Sequence, residues 1–118
     1  MKFLCLAYGA EQDWKMLPKP EQDGLLEQDA TLRANGALMG GVNTQVTTVR
    51  AWEGRPTTSP EPVAALKIPL AGFSIIEAES LDAVVEMVSR TPCARAVGAI
   101  EVRPITFLNE EQWKSMNR

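Results

Sequence analysis

Alternating and periodic apolar residues predict a strand, a helix and a further strand between residues 72 and 103. Residues 72–78 form a run with the length and the β-branched and aromatic content of a strand. Residues 80–89 open on Ser80, a preferred helix cap, and their apolar positions follow the i, i+3, i+4, i+7 spacing of one helix face. Thr91 precedes Pro92 and resists helical angles, so we expect the helix to end before it. Residues 99–103 alternate apolar and polar side chains, as a strand with one wet face does.

The first half of the chain predicts a related set of elements. Residues 3–8 are apolar almost throughout, which is typical of a strand buried on both faces. Residues 21–36 predict a helix that Gly36 ends, because glycine adopts the left-handed conformation easily. Gly40-Gly41 indicates a bend between a short strand and a longer one over residues 44–52. The predicted order is therefore strand–helix–strand–strand–helix–strand, the ferredoxin-like α+β order.

The connections are predicted as loops. Residues 9–20 are expected to be a loop whose Trp14 covers the core edge or anchors an interface. Glu53-Gly54 is a tight-turn signal, and residues 55–62 predict a loop with a short returning strand.

The C-terminal tail has its own helix signal. Asn109 is placed as an N-cap with Gln112 at the third helical position, and Leu108 and Trp113 are placed as a hydrophobic staple. We therefore predict a short C-terminal helix.

Composition favours a one-domain globular protein in a reducing compartment. The 118 residues are enough for a single core, and 45% hydrophobic with 23% charged residues is ordinary for such chains. The net charge of −3 argues against nucleic acid and anionic membranes as partners, because both attract basic surfaces. The apolar start is read as a strand, since it lacks the charged lead and cleavage site of a signal peptide. Cys5 and Cys93 are isolated, so we expect reduced buried thiols in the cytoplasm, with a reactive Cys93 as the alternative.

Several kinds of catalytic and cofactor site are excluded. The chain has no histidine, which removes Ser/His and Cys/His catalysis and most zinc sites. Gly40-Gly41 is not part of a GxGxxG motif, and no phosphate-loop lysine follows it. The acidic residues that offer oxygen ligands have no metal-binding spacing, so we predict no metal and no cofactor. These residues are Asp29, Glu77, Glu79 and Glu101.

Asp29 is the main local anomaly of the sequence. At about 100° per residue it falls between Leu25 and Leu26 on the apolar side of the first predicted helix. A carboxylate there needs a partner or a raised pKa, because burying it ionised is unfavourable. In the alternative interpretation, Asp29 reaches water at the edge of the stripe or pairs with Arg33.

Several runs of residues together resemble the YCII-related proteins, also called the DGPF-domain family. The resemblance extends over essentially residues 1–105, and the order and spacing of the runs make it specific. The runs are residues 1–9 with Trp14, 32–33, 36–38, 47–50, 69–78, 91–95 and 98–104. On this basis the chain is divided into a ferredoxin-like domain over residues 1–105 and a helical extension over residues 106–118.

The resemblance implies a dimeric α/β barrel, in which two ferredoxin-like sheets close around a shared interior. Some members carry a His–Asp pair proposed as a catalytic dyad in a cleft, and this chain has no histidine for it. The signature Asp-Gly-Pro-Phe is also degraded, since the equivalent place reads Pro60-Glu61-Pro62-Val63. Asp29 lies on the helix where relatives often keep a polar group, so it remains a candidate.

Two hypotheses about function follow, both with a homodimer that joins apolar sheet faces. In the first, a small-molecule cleft uses Asp29 as general acid or base. The residues predicted to hold an anionic ligand there are Tyr8, Arg50, Arg95 and Arg103. In the second, the chain is a non-catalytic binding or interaction module that has lost the histidine and the signature motif. Whether the chain is an enzyme stays open between them.

Overall fold

The structure is a computed structural model that describes residues 1–109 and 111 of the chain. The strands are β1 (Lys2–Tyr8), β2 (Leu38–Gly41), β3 (Thr48–Arg50), β4 (Thr57–Ser59), β5 (Leu70–Glu77) and β6 (Ala99–Pro104). The helices are α1 (Glu11–Lys15), α2 (Lys19–Ala34), α3 (Leu81–Val88) and α4 (Pro92–Arg95). Among the described residues, no helix has the length and apolar content needed to cross a membrane.

Four strands form one antiparallel sheet in the order β2–β5–β1–β6. The central strand β1 pairs with two neighbours, so Phe3 lies opposite Ile76 of β5 and Pro104 of β6. Because β5 and β6 both run antiparallel to β1, they are parallel to each other and are joined by a crossover through α3 and α4. This strand order confirms the predicted ferredoxin-like α+β fold.

The inner face of the sheet packs against α2 and α3 and forms the core. Phe3 and Cys5 of β1 are 0% and 2% exposed. They belong to one apolar cluster with Leu32 of α2 and with Val84 and Val88 of α3. The core therefore lies between the sheet and the two long helices.

The outer face of the same sheet is also apolar. The register places Leu6 opposite Phe73 and Leu4 opposite Ile75, and Leu38 also lies opposite Ile75. All of these side chains are partly exposed, and none belongs to the core cluster. Within one chain the sheet is thus open, and closure into the predicted barrel requires a second copy.

The helix boundaries depend on the residues that sequence patterns single out. Ser80 caps α3 as predicted, because its hydroxyl oxygen accepts a hydrogen bond from the Ala83 N–H at 3.1 Å. Gly36 follows α2 with a φ of 100°, the left-handed conformation predicted for it. The i, i+3, i+4, i+7 pattern of α3 places Leu81 and Val85 on one face with the buried Val84 and Val88, but Leu81 and Val85 are 50% and 48% exposed.

Two short helices were not predicted. The interval 9–20, predicted as a loop, contains α1, where Glu11 and Asp13 place negative charge in the first turn. The Thr91-Pro92 step ends α3 as predicted, but it also starts α4, with Thr91 at the N-cap and Pro92 in the first turn. Proline in that position is already set to helical angles.

A separate two-stranded ribbon, β3 with β4, interrupts the path from β2 to β5. Its turn contains Gly54 at a φ of 85°, with the Gly54 N–H donating to the Ala51 carbonyl at 3.0 Å. The predicted returning strand is present as β4, whereas the strand predicted over residues 44–52 is only three residues long. A two-stranded ribbon without a third partner is marginally stable, which is consistent with such short pairing.

The predicted C-terminal helix lies outside the described residues except for Asn109 and Glu111.

Candidate functional site

Asp29 lines a cavity of about 170 Å³ between α2, the inner face of the sheet and the α3–α4 corner. We call this space the Asp29 cavity. Its walls are mainly apolar and come from β1, β2, β5, β6 and three helices. The apolar wall residues are Ala7, Leu32, Met39, Ala71, Val88, Pro92 and Ile100, and Phe73 of the outer face also borders the cavity where it passes Gly40.

The periodicity of α2 places the carboxylate in this wall. Leu25 and Leu32 are both 6% exposed and lie four residues before and three residues after Asp29. Residues with that spacing share one face of a helix, so Asp29 lies on the buried stripe and is itself half-buried. Leu26, expected beside it, is 51% exposed and lies away from the core.

The environment of Asp29 makes its carboxyl group harder to ionise. Burial raises the pKa of the Asp29 carboxyl above its ordinary value of 3.8, and the positive charge of Arg33 opposes that shift. In the described part of the chain, Asp29 accepts no hydrogen bond and forms no ion pair. The Arg33 guanidinium instead donates to the Met39 sulfur at 3.5 Å, so the alternative Asp29–Arg33 pair is not formed.

Two thiols and two hydroxyls are the other polar groups in the wall. Burial raises the pKa of the Cys5 thiol, against the effect of its hydrogen bond with Ser74. Burial and the neighbouring Asp29 carboxylate both raise the pKa of Cys93, so its thiol stays neutral. The Thr91 hydroxyl donates to the Val88 carbonyl at 2.6 Å. Asp29 is thus the group in this wall that is best suited to accept or release a proton.

The other predicted site residues lie elsewhere in the single chain. Arg95 is 3.5 Å from a carboxylate oxygen of Glu21 in the first turn of α2, and Arg103 donates to Glu101 at 2.7 Å. The Arg50 guanidinium lies over the Trp52 ring at 5.8 Å, within the β3–β4 ribbon.

Tyr8 lines a different cavity, next to Ile68 and Ala99. Within the described residues, no arginine lines the Asp29 cavity. The ligand-binding roles of Tyr8, Arg50, Arg95 and Arg103 therefore stay predictions.

The segment at the place of the signature, residues 60–63, does not line the Asp29 cavity. It follows β4, and the Glu61 carbonyl accepts a hydrogen bond from the Thr48 hydroxyl at 2.5 Å. In the described structure this bond ties the segment back to β3. In the residues described, no group of three His, Cys, Asp or Glu side chains is placed to hold a metal ion.

Sequence reasoning did not place Cys93 next to Asp29. The two residues lie far apart in the chain and are joined only by the packing of α4 against α2 and β1. The signal that was available is Thr91-Pro92, since a capping residue followed by proline is typical of a helix start. A helix there turns Cys93 toward the core rather than leaving it in a surface turn.

Comparisons with known proteins give a family and a fold. A family model described as "YCII-related domain" matches residues 1–114. A solved structure of 5-chloro-2-hydroxyhydroquinone dehydrochlorinase from Burkholderia phenoliruptrix AC1100, in complex with 2,5-dihydroxybenzoquinone, is similar with a TM-score of 0.51 and 22% sequence identity. That similarity covers 90% of this chain and 94% of the other and concerns the fold. No curated protein matches the chain.

Proposed function

The chain belongs to the YCII-related family, and on that premise we propose that it binds a small single-ring molecule in the Asp29 cavity and uses Asp29 as an acid or base. The observation that carries this proposal is a half-buried carboxylate in the wall of an apolar cavity of about 170 Å³. In the described residues, its carboxylate has no hydrogen-bond partner to compete with a ligand. Apolar walls with few polar groups are typical of small-molecule sites.

The size of the cavity limits the ligand. An apolar protein cavity of about 150 Å³ accommodates a benzene molecule. The Asp29 cavity, at about 170 Å³, therefore suits one six-membered ring with small substituents. The similar solved structure holds a compound of that size, 2,5-dihydroxybenzoquinone, which makes hydroxylated rings and quinones the first compounds to test.

The charge of the cavity limits the ligand as well. An ionised Asp29 repels an anion, and the predicted arginine contacts are absent from this wall in the described single chain. A neutral ligand that donates an acidic O–H fits better, because the carboxylate accepts that proton and can return it. The raised pKa of Asp29 lies closer to the pKa of such a donor, so proton transfer in both directions becomes easier.

A panel of phenols, hydroxyquinones and small carboxylic acids, screened by thermal shift, tests this function. A ligand that binds only the folded chain at 100 times its Kd stabilises it by about 2.7 kcal/mol. We expect hydroxylated rings to raise the Tm and Asp29→Asn to weaken their binding at least tenfold. The matched control is Asp23→Asn, an exposed carboxylate on the same helix that pairs with Lys19 at 3.1 Å. Equal binding by wild type and Asp29→Asn would contradict the proposed role.

The non-catalytic module remains the second candidate. It is favoured by the absence of histidine from the chain and by the lack of any residue that orients Asp29 in the described structure. The acid or base site should change its ligand chemically, whereas the module should only bind it. A ligand that binds and is recovered chemically unchanged, with no exchange of its carbon-bound hydrogens for deuterium, would favour the module.

We further propose that the protein is a homodimer joined through the outer sheet face. The support is the row of partly exposed apolar side chains on that face, which a single chain leaves without a covering layer. Contiguous apolar surface of this kind is unusual in monomers.

A further inference from the structure

A second cavity of about 210 Å³ adjoins the Asp29 cavity and lies between α1, α4 and the start of β5. It shares Ala71, Pro92 and Cys93 with the Asp29 cavity, so these residues form a common wall. We call it the Trp14 cavity. Its remaining lining residues are Gly9, Ala10, Glu11, Trp14 and Ala96.

The Cys93 side chain lies between the two spaces. A Cβ atom built on Gly9, in the wall of the Trp14 cavity, would lie 3.0 Å from the Cys93 sulfur. On its other side, Cys93 is close enough to Asp29 for the carboxylate charge to act on the thiol. The small, neutral thiol of Cys93 therefore borders both cavities.

The Trp14 cavity has the shape and chemistry for a flat group. Ala10, Ala71 and Ala96 contribute only methyl groups, and Gly9 contributes no side chain. Trp14 lies on α1, whose position is held by a hydrogen bond from the Gln22 amide to the Trp14 carbonyl at 2.8 Å. Small residues beside an aromatic ring leave a slot in which a second ring can stack or pack edge to face.

We propose that the Trp14 cavity is a second compartment of the same ligand site, that it takes a flat apolar or aromatic group, and that the Cys93 side chain determines how far a ligand extends into it. The proposal rests on the proposed ligand binding in the Asp29 cavity. Each compartment has about the volume of one ring, so a two-ring compound needs both. Cys93 is then a specificity-determining residue, which selects one ring over two.

The test compares phenol with 2-naphthol on three proteins: wild type, Cys93→Ala and Cys5→Ala. Cys5 is the matched control, because it is a thiol in the wall of the Asp29 cavity but not of the Trp14 cavity. We expect Cys93→Ala to bind 2-naphthol at least tenfold more tightly than wild type, with phenol affinity changed less than threefold. We expect Cys5→Ala to leave the ratio of the two affinities as in wild type. Calorimetry gives the affinities, and circular dichroism checks folding.

Adding Trp14→Leu to Cys93→Ala tests the far wall of the compartment. The gain in 2-naphthol affinity is expected to fall at least threefold, because the aromatic contact is lost. If Cys93→Ala does not fold, Cys93→Ser is expected to shift the affinity ratio in the same direction, since oxygen is smaller than sulfur.

The outcomes distinguish the second compartment from the proposed ligand binding in the Asp29 cavity. If phenol binds but Cys93→Ala shifts the affinity ratio no more than Cys5→Ala does, the second compartment alone is overturned. Failure of phenol and 2-naphthol to bind any of the proteins overturns the ligand site and the compartment together.

Discussion

At the scale of single residues, two positions depart from what their side chains favour. Asp29 places a carboxylate on a buried helix stripe, where burial raises its pKa. Val97, just after α4, is β-branched and yet has a φ of 56°. Such departures are tolerated when the surrounding structure holds them, and they concentrate at functional sites. Each can be tested by one substitution.

Asp29→Asn tests the raised pKa through the pH dependence of stability. Because the folded chain holds the Asp29 proton more tightly than the unfolded chain does, its stabilising contribution is full below the ordinary pKa of 3.8. That contribution is lost as the pH rises through the raised folded pKa. We expect Asp29→Asn to unfold at a higher temperature than wild type near pH 7, with the difference shrinking near pH 3. Thermal circular dichroism measures both.

The control for this prediction is Glu27→Gln, which removes an exposed negative charge from the same helix. Its effect should stay within about 0.5 kcal/mol, as is usual for surface substitutions. A lower Tm for Asp29→Asn at neutral pH would show that Asp29 is instead a paired, structural carboxylate.

Val97→Asn is expected to stabilise the chain. The left-handed conformation is unfavourable by roughly 1–2 kcal/mol for residues with a Cβ, and asparagine tolerates it better. Val97 is 76% exposed, so little apolar burial is lost. We expect a gain of about 1 kcal/mol in the free energy of unfolding, measured by urea titration.

Val63→Asn provides the comparison, because Val63 is 79% exposed and has no positive φ. If both variants gain the same stability, the effect comes from surface polarity and not from the backbone conformation of Val97.

At the scale of elements, the crossover from β5 to β6 depends on two hydroxyls. The Ser80 hydroxyl caps the start of α3, and the buried Thr91 hydroxyl donates to the Val88 carbonyl at its end. Pro92 then begins α4, which brings Cys93 beside Asp29. The position of the candidate site therefore depends on where α3 stops and α4 starts.

Ser80→Ala should lower the free energy of unfolding by about 1 kcal/mol, the usual effect of losing a serine N-cap. The loss arises because the Ala83 N–H is left without its acceptor. Ser89→Ala is the paired variant at the other end of α3, where the exposed hydroxyl donates to the Glu86 carbonyl. We expect its effect to be less than half as large in the same urea titration. A Ser80→Ala variant as stable as wild type would show that the Ser80 cap does not stabilise α3.

At the scale of the whole molecule, the sheet has one face in the core and one apolar face open. The outer face is where the proposed second copy would lie, and the Asp29 cavity is on the inner side of the same sheet. The proposed dimer face and the proposed ligand site would therefore lie mainly on opposite sides of the sheet, with Phe73 bordering both. They should be separable by mutation.

Leu6→Arg should convert the proposed dimer to a monomer. Leu6 lies on the outer face opposite Glu101, so an arginine there gains a cross-strand partner within its own chain but places a charge in the interface. Light scattering should give twice the chain mass of 12.9 kDa for wild type and the single mass for the variant. The control Val85→Arg, on the exposed side of α3, should have the same mass as wild type. A wild type that is monomeric at micromolar concentration would contradict the dimer.

Local patterns were sufficient to predict the order of strands and long helices. Alternation in β6, the apolar run of β1 and the caps at Ser80 and Gly36 act over a few neighbouring residues. Period and capping depend on nearest neighbours along the chain, so they are readable before any tertiary contact forms. The position of Asp29 on the apolar stripe of α2 was likewise predictable from helical period.

The surroundings of Asp29 were decided by contacts between elements distant in the chain. The packing of α4 brought Cys93 to the cavity, and the sheet register placed Arg103 and Tyr8 on other surfaces. No spacing along the chain encodes these distances, because each depends on how helices and strands pack after they form. The physical reason is that secondary structure follows local geometry, whereas a cavity is the space left when separate elements meet.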